Sequence, residues 1–445
     1  MSRSIDAAEL GRRIRTARVA AGMTQAQVAA EDVSAAYLSR IEDGQRRPEA
    51  GLLERMAGRM GVSLEDLLLN VPRDRVQELR LAVDYAELSL VSGDGAGALK
   101  AVDKVLADEA TANVPPVLRA AKQVRALALE NVGEIDAAIV LLEDITSEPT
   151  PDASWLKALI ALSRCHRVND DYARAISVGE QAQTKIEELG IDGLTEAIQL
   201  TVTVAGAYLA QDDTNKAMQL CLHALAAAEK YDSPIGKASA YWNASLAEAQ
   251  RGATDAALEL AGKALAHFET GGDNRHLAGL RFQIAHLYLQ QDPVDADSAL
   301  EVLSTLEEEM RWSGGTAWEV SATQLLKGKA YFALGDHERA AAFVEQAMES
   351  KPAGEHSHET EGLVLKGRIA FARGDHDAAR DLFQAAAQAL TAVGADRSAG
   401  QLWFELADLL AEVGDHEGAL RAFRSAGAST GLRLPGRSVG ALQDS

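Results

Sequence analysis

The chain is poor in the residues that build disulfide scaffolds, membrane spans and large aromatic cores. Only 2 of its 445 residues are cysteine, 10 are proline and 5% are aromatic. Cys165 and Cys221 stand far apart within helical stretches, so no disulfide framework is encoded. A reducing compartment is expected, with both thiols facing a core. No apolar run approaches the roughly 18 residues that mark a membrane-spanning helix. The opening MSRSIDAAELGRRIR reads as the start of an amphipathic helix rather than as a signal peptide. A cytoplasmic location without membrane contact follows as the expectation. Nucleophile-elbow, zinc-protease, kinase and dinucleotide-binding motifs are also lacking. The chain is therefore not expected to be an enzyme, and no catalytic residue, metal site or cofactor is assigned to it.

Three features imitate sites and are set aside. Gly93-Asp94-Gly95-Ala96-Gly97 is glycine-rich, but no strand precedes it and no Gly-Lys-Ser/Thr follows, so it reads as a turn. His337, His376 and His416 each follow a Gly-Asp pair in successive copies of one pattern, and copies do not converge on one metal. His356 and His358 lack a cysteine or third ligand nearby in sequence.

Charge and length decide the organisation. Residues 1–70 hold ten arginines and ten acidic residues, whereas the rest of the chain sets 34 Lys and Arg against 56 Asp and Glu and carries the whole net charge of −22. The acidic part repels DNA, so any nucleic-acid contact must come from the first seventy residues. At 445 residues the chain exceeds one hydrophobic core. Its 47% hydrophobic content, rich in alanine, suits thin helices packed through small residues.

From about residue 76 the sequence repeats. An alanine recurs five residues after a short turn, at 98, 138, 175, 217, 257, 299, 340, 379 and 419, with intervals of 37 to 42 residues. The turn is Gly-Asp at 93, 335, 374 and 414, with Gly133-Glu134 close behind. About twelve positions before the marker stands a small residue, as at Ala126, Ala205, Ser245, Gly328, Gly367 and Ala407, where neighbouring helices must approach closely. Each unit is a helical hairpin that cannot bury its apolar face alone, and about nine stacked hairpins give a continuous core. Gly328, Tyr331, Gly335 and Ala340 give the clearest resemblance to the tetratricopeptide repeat, although the spacing exceeds the usual period of about 34 residues. The expected fold is all-α: a domain over 1–70, an α-solenoid over 76–426 for sensing and dimerisation, and a flexible tail over 427–445.

The segment from Gly22 to Pro48 reads as two short capped helices and a basic loop. Thr24 and Ser34 stand at cap positions, and Val28, Ala29, Val33, Leu38 and Ile41 fall on a shared apolar seam. These residues, with the Ser39-Arg40-Ile41-Glu42-x-Gly44 ending, resemble the helix-turn-helix of the Cro/repressor-type (xenobiotic-response-element) family. The resemblance implies that the second helix enters the major groove with Ser34, Ala35, Ala36, Tyr37, Ser39 and Arg40 at or near it. Arg40 has the geometry to pair with guanine, the alanines suit thymine methyls, and Tyr37 either meets DNA or packs on a neighbouring helix. Thr24 and Gln25 match phosphate-gripping positions, and Gln45, Arg46 and Arg47 form a loop that reaches the backbone or is simply solvated. Arg18 and Glu42 match a structural ion pair. The turn Glu31-Asp32-Val33 is one residue shorter than usual and lacks the frequent glycine.

In tetratricopeptide-like arrays the first helix of each hairpin lines the concave wall. By register that wall includes Arg164, Arg167, Gln199, Thr203, Trp242, Asn243, Phe282, Gln283, His286, Lys329 and Arg368. Trp242 and Asn243 are the expected focus, with inter-repeat packing as the competing role of Trp242. The four cations either attract a carboxylate or balance neighbouring acids. The combination is similar to bacterial peptide-sensing regulators, which implies a homodimer on operator DNA controlled by a peptide, protein or small-molecule effector. The alternative is an interaction scaffold or anti-toxin-like partner without specific DNA readout.

Overall fold

The structure, a computed structural model, describes residues 6–69, 71–271, 274–313, 316–352, 354, 356–392 and 397–429. Among these, no strand occurs. A bundle of α1 (Ala7–Ala20), α2 (Gln25–Ala29), α3 (Ala35–Glu42), α4 (Ala50–Met60) and α5 (Leu64–Leu69) comes first. Nine successive pairs of helices follow in chain order: α6 (Arg73–Val91) and α7 (Gly95–Leu106), α8 (Pro115–Asn131) and α9 (Ile135–Thr146), α10 (Ala153–Val168) and α11 (Tyr172–Leu189), α12 (Thr195–Ala210) and α13 (Thr214–Lys230), and α14 (Pro234–Gln250) and α15 (Thr254–Gly271). The last four are α16 (Asn274–Gln290) with α17 (Ala296–Ser313), α18 (Ala317–Ala333) with α19 (His337–Ser350), α20 (His356–Ala372) with α21 (His376–Leu390), and α22 (Arg397–Glu412) with α23 (His416–Ser429). The final helix includes Gly427 to Ser429, which were expected in the tail; the remaining tail positions, 430–445, lie outside the described residues. The chain forms two compact units, Met1–Ala207 and Tyr208–Ser445.

Each hairpin turn follows from its residues. Except between α16 and α17, a left-handed residue ends the first helix, supplied by glycine at 93, 133, 252, 335, 374 and 414 with φ between 76° and 85°. Where glycine is missing, Asp170 and Asp212 take the same region, at 57° and 67°. The next aspartate then caps the second helix: the side chains of Asp94, Asp171, Asp213, Asp336, Asp375 and Asp415 each accept a backbone N–H three residues on.

Packing depends on the alanine register. All nine marker alanines are at most 4% exposed. Twelve residues earlier, Ser163 and Ser245 turn their hydroxyls onto marker carbonyls, donating to Ala175 O at 2.8 Å and Ala257 O at 2.7 Å. At Gly328 an added Cβ would lie 3.1 Å from both Leu365 and Val344, and at Gly367 it would lie 2.4 Å from the buried ring of Phe383. Cys165 and Cys221 are buried and free, and burial pushes both thiols up to about 12, so they are neutral. No helix among the described residues is long and apolar enough to cross a membrane.

Two substitutions in the second unit should move its melting transition in opposite directions. Gly367→Ala forces the Phe383 ring aside and should cost about 1–3 kcal/mol. Gly262→Ala, on an exposed turn of α15 with nothing within 4 Å of the new methyl, should gain about 0.5–1 kcal/mol. Thermal unfolding of both variants checks this, and destabilisation by Gly262→Ala would contradict the packing account.

Candidate nucleic-acid interface and repeat-face sites

The DNA-reading candidate is built around one buried carboxylate. Glu42, at the end of α3, is 5% exposed and takes Arg18 Nε at 2.6 Å on one oxygen. Its other oxygen accepts Arg18 Nη2 at 2.9 Å and Gln25 Nε2 at 2.8 Å. α1, α2 and α3 are thus tied at a single point. Burial pushes the Glu42 carboxyl up, but the bonds from Arg18 and Gln25 outweigh it and hold the group below the ordinary carboxylate range. Close backbone approach completes the frame, because a Cβ on Gly11 would lie 2.3 Å from Ile41 O. Val28, Ala29, Leu38 and Ile41 are buried in the shared core, with Val33 partly buried against it.

The two helix starts are fixed locally. Thr24 Oγ1 accepts Gln27 N at 3.3 Å while Thr24 N donates back to Gln27 Oε1 at 2.8 Å, a reciprocal cap. Ser34 Oγ accepts Tyr37 N at 3.1 Å. Between them, Ala30 ends α2 with φ 42°, so an alanine performs the left-handed turn usually given to glycine. The acidic turn is partly neutralised from outside: Asp32 accepts Arg55 Nε at 2.9 Å and is also paired with Arg59.

The candidate DNA contacts are then presented differently. Thr24, Ser34, Ala35, Ala36, Arg40, Gln45, Arg46 and Arg47 are exposed, and Ser39 is partly buried. Tyr37 packs partly against the bundle core, and the Gln25 amide is turned onto Glu42. Arg40, Arg46 and Arg47 form no ion pair among the described residues, unlike Arg18, Arg55 and Arg59. Three unneutralised guanidiniums therefore cluster on the second half of α3 and the loop behind it.

On the repeat faces, most expected wall residues are engaged internally. Trp242 donates its indole N–H to Gln283, whose Nε2 donates to Ser245 Oγ at 3.0 Å. Its ring meets Phe268 edge-on at 6.0 Å. Trp242 is thus an inter-hairpin packing residue, and the Asn243 amide donates to Ser239 O of its own helix at 3.1 Å. Thr203 likewise donates to Gln199 O at 2.8 Å. Phe282 stacks at a tilt on Trp318, 5.8 Å away. His358 is buried beside Trp318 and Ser321, while His356 approaches Glu359.

His286, Lys329 and Arg368 do come together. They line a cavity of about 410 Å³ with Leu289, Gln290, Glu361, Val364, Leu365, Gln401, Leu402 and Glu405. Lys329 Nζ lies 2.7 Å from Glu361, and Arg368 Nη1 lies 3.3 Å from Glu405. Burial pushes the Glu361 carboxyl up, but Lys329, His286 and His358 together hold it low. Burial and the Lys329 charge push His286 down, favouring a neutral ring. Glu361, Gln401 and Glu405 were missed in sequence although the register could have found them: they stand six, six and two positions before Gly367 and Ala407, the offsets of Gln199 and Thr203 before Ala205. In the first unit, Arg164 is paired with Glu130, and Arg167 lies one turn further along α10.

The fold and this geometry define an all-α protein with a helix-turn-helix domain before a tetratricopeptide-type solenoid. Residues 9–69 match the helix-turn-helix domain family, and residues 325–392 and 365–431 match the tetratricopeptide repeat. No curated protein matches the chain in sequence. A Rap protein complexed with Competence and Sporulation Factor shares 14% identity, with a TM-score of 0.52 over 80% of this chain and 98% of that one. NprR in complex with its cognate peptide NprX shares 16% identity over 61% of this chain and 77% of that one, with a TM-score of 0.45. Bacillus thuringiensis PlcR in complex with the peptide PapR7 and DNA shares 15% identity over 76% of this chain and 99% of that one, with a TM-score of 0.34. At these identities the likeness concerns the fold alone.

The Glu42 hub has a pH signature. Its folded pKa lies below the unfolded value, so its stabilisation is full above the ordinary carboxylate range and is lost as pH falls through the folded pKa. Glu42→Gln should cost roughly 3–5 kcal/mol at pH 7 by stranding Arg18. The gap to wild type should narrow as pH falls below about 4. Denaturant titrations at both pH values test this, and a constant gap would show that the charge is irrelevant.

Proposed function

We propose that the chain is a sequence-specific DNA-binding transcriptional regulator, acting as a homodimer and controlled by a peptide, protein or small-molecule effector on its repeat domain. The DNA-binding part is residues 1–70, and the sensing and dimerising part is residues 76–426. The observation that carries this reading is the trio of exposed, unpaired guanidiniums, Arg40 on the helix whose frame Glu42 locks and Arg46 and Arg47 in the loop that follows it. Ala35 and Ala36 leave the start of α3 open to close approach, which suits a helix entering a groove. One such module covers a half-site, so useful specificity calls for a second copy. The Rap protein of similar fold, complexed with Competence and Sporulation Factor, supplies a precedent for an effector on such an array.

Purified full chain should capture discrete genomic fragments that resist competition by random DNA; capture that salt erases for all sequences alike would favour the scaffold reading. On a captured site, Arg40→Ala should lose roughly 1–3 kcal/mol and relax preference at one base pair. Arg46→Ala should weaken all DNA about equally and lower the salt slope by about one. Equal losses on specific and random DNA for Arg40→Ala would remove it as a base reader.

Effector control predicts that fractions of cell extract shift operator affinity of the full chain by about 1–3 kcal/mol. If no fraction does so, and a dimerised 1–70 fragment matches the full chain in affinity and half-site spacing, the array is a scaffold.

A further inference from the structure

We propose that the outer face of the last described helix pair, α22 and α23, is the surface on which two copies of this chain join about a twofold axis. This deepens the homodimer reading above and rests on it.

The face departs from the register of the array that it ends. The residue four after the marker alanine is buried in each of the eight earlier pairs, from Val102 to Phe383. Its cover is the first helix of the next pair. Val102 shares a buried cluster with Val117 and Ala121 of α8, Leu142 with Ala158 of α10, and Phe383 with Trp403 and Leu406 of α22. In α23 the same position is Phe423, and it is 40% exposed. The residue fifteen before the marker behaves alike: it is buried or partly buried from Val83 to Val364, whereas Phe404 of α22 is 44% exposed. The two bare rings meet edge-on at 6.1 Å, and Leu420 is exposed on the same helix as Phe423. A solenoid stays soluble when its terminal repeat turns a polar outer face to water. This pair instead carries the apolar residues of an internal one.

The kind of cover follows from shape and charge. Each earlier face of this type is covered by a helix, and a second copy presents helices with the same bare rings, so a single association covers both faces. The charges beside the rings separate by helix. On α22, Asp408 and Glu412 are exposed without an ion pair among the described residues, and Glu405 is taken by Arg368. On α23, Arg421 is taken by Glu417, and Arg424 is exposed without an ion pair among the described residues. A twofold axis parallel to the two helices lays the acidic α22 of each copy antiparallel over α23 of the other. Phe404 and Phe423 stand ten residues before and nine after Gly414, at one level of the pair. The axis preserves levels and sets each Phe404 over Phe423 of the other copy. Asp408 then comes within about one helical turn, roughly 6 Å along the helix, of the second copy's Arg424. Opposite charges meet twice, and no acidic row faces an acidic row.

Sedimentation velocity of the full chain over a concentration series reads the pairing. Wild type should sediment as a dimer, and Phe404→Asp or Phe423→Asp should weaken it about tenfold or more. Both rings already meet solvent, so these variants should keep the helical circular dichroism. Asp408→Arg and Arg424→Asp, at fully exposed positions, should each weaken the dimer about threefold to tenfold. Mixing these two single variants should restore it, because in the mixed dimer both crossed contacts again join opposite charges.

Restoration by the double variant D408R/R424D but not by the mixture would place the contact within one chain and overturn the interface. A dimer that all four substitutions leave at wild-type strength would overturn it too, while leaving the homodimer reading in place. A monomeric wild type would also overturn it, and association on deletion of residues 430–445, which lie outside the described residues, would then identify the chain's own end as the cover. Two protected half-sites on captured DNA by a chain that is monomeric when free overturn this interface alone. A dimer broken by Phe423→Asp that captures no discrete genomic fragment overturns the DNA-binding reading alone.

Discussion

Two helices can lie only as close as the smallest side chain at their crossing permits, and in this chain one register position governs that distance from hairpin to hairpin. The marker alanines at 98 through 419 are all buried, and the residue twelve positions earlier is alanine, serine or glycine in most hairpins. Where it is serine, as at 163 and 245, the hydroxyl bonds the marker carbonyl itself. Fixing that contact fixes the rotation of the first helix and therefore which side chains lie on its open face. Arg164 and Arg167 of α10, and Lys329 and Arg368 of α18 and α20, owe their placement to this packing rather than to any local motif.

The helix-turn-helix module is held by a different set of contacts. Its helices are too short to be stable alone, and their orientation rests on a small core plus the Glu42 carboxylate with its donors from α1 and α2. Arg18 and Gln25 are consumed inside, whereas Arg40, Arg46 and Arg47, like Arg15 on α1, are exposed and without an ion pair among the described residues. Arg55 and Arg59 reach from α4 to Asp32 and so moderate the acidic turn beside the candidate reading helix. The rest of the chain is acidic, which leaves this surface as its candidate meeting place with a polyanion.

Much of the fold was legible in the sequence because it is written in local or periodic terms. Thr24 and Ser34 announce helix starts by side-chain chemistry acting over three residues, and Gly-Asp turns announce a left-handed stop followed by a cap. The marker alanines announce the hairpins by recurrence, and so the all-helical solenoid could be read before any coordinates. What was not legible depends on pairing between distant side chains. Nothing in the sequence says that the Trp242 indole N–H is taken by Gln283 in the next hairpin, or that Gln25 turns inward to Glu42 instead of outward. The same holds for Glu130, whose two oxygens are both met by Arg164 from the next hairpin. The cavity beside Lys329 also draws on Glu361, Gln401 and Glu405, which hold the same repeat positions as Gln199 and Thr203 and so were within reach of the register alone.

In the proposed function α3 reads one half-site per chain and two chains act together. Hydroxyl-radical footprinting of the full chain on a captured genomic fragment tests it most directly. The account predicts two protected segments on one face of the duplex, related by a twofold axis and separated by one helical turn, about 34–36 Å, or a multiple of it. A single protected half-site occupied by one chain, or uniform protection along the fragment, would contradict it.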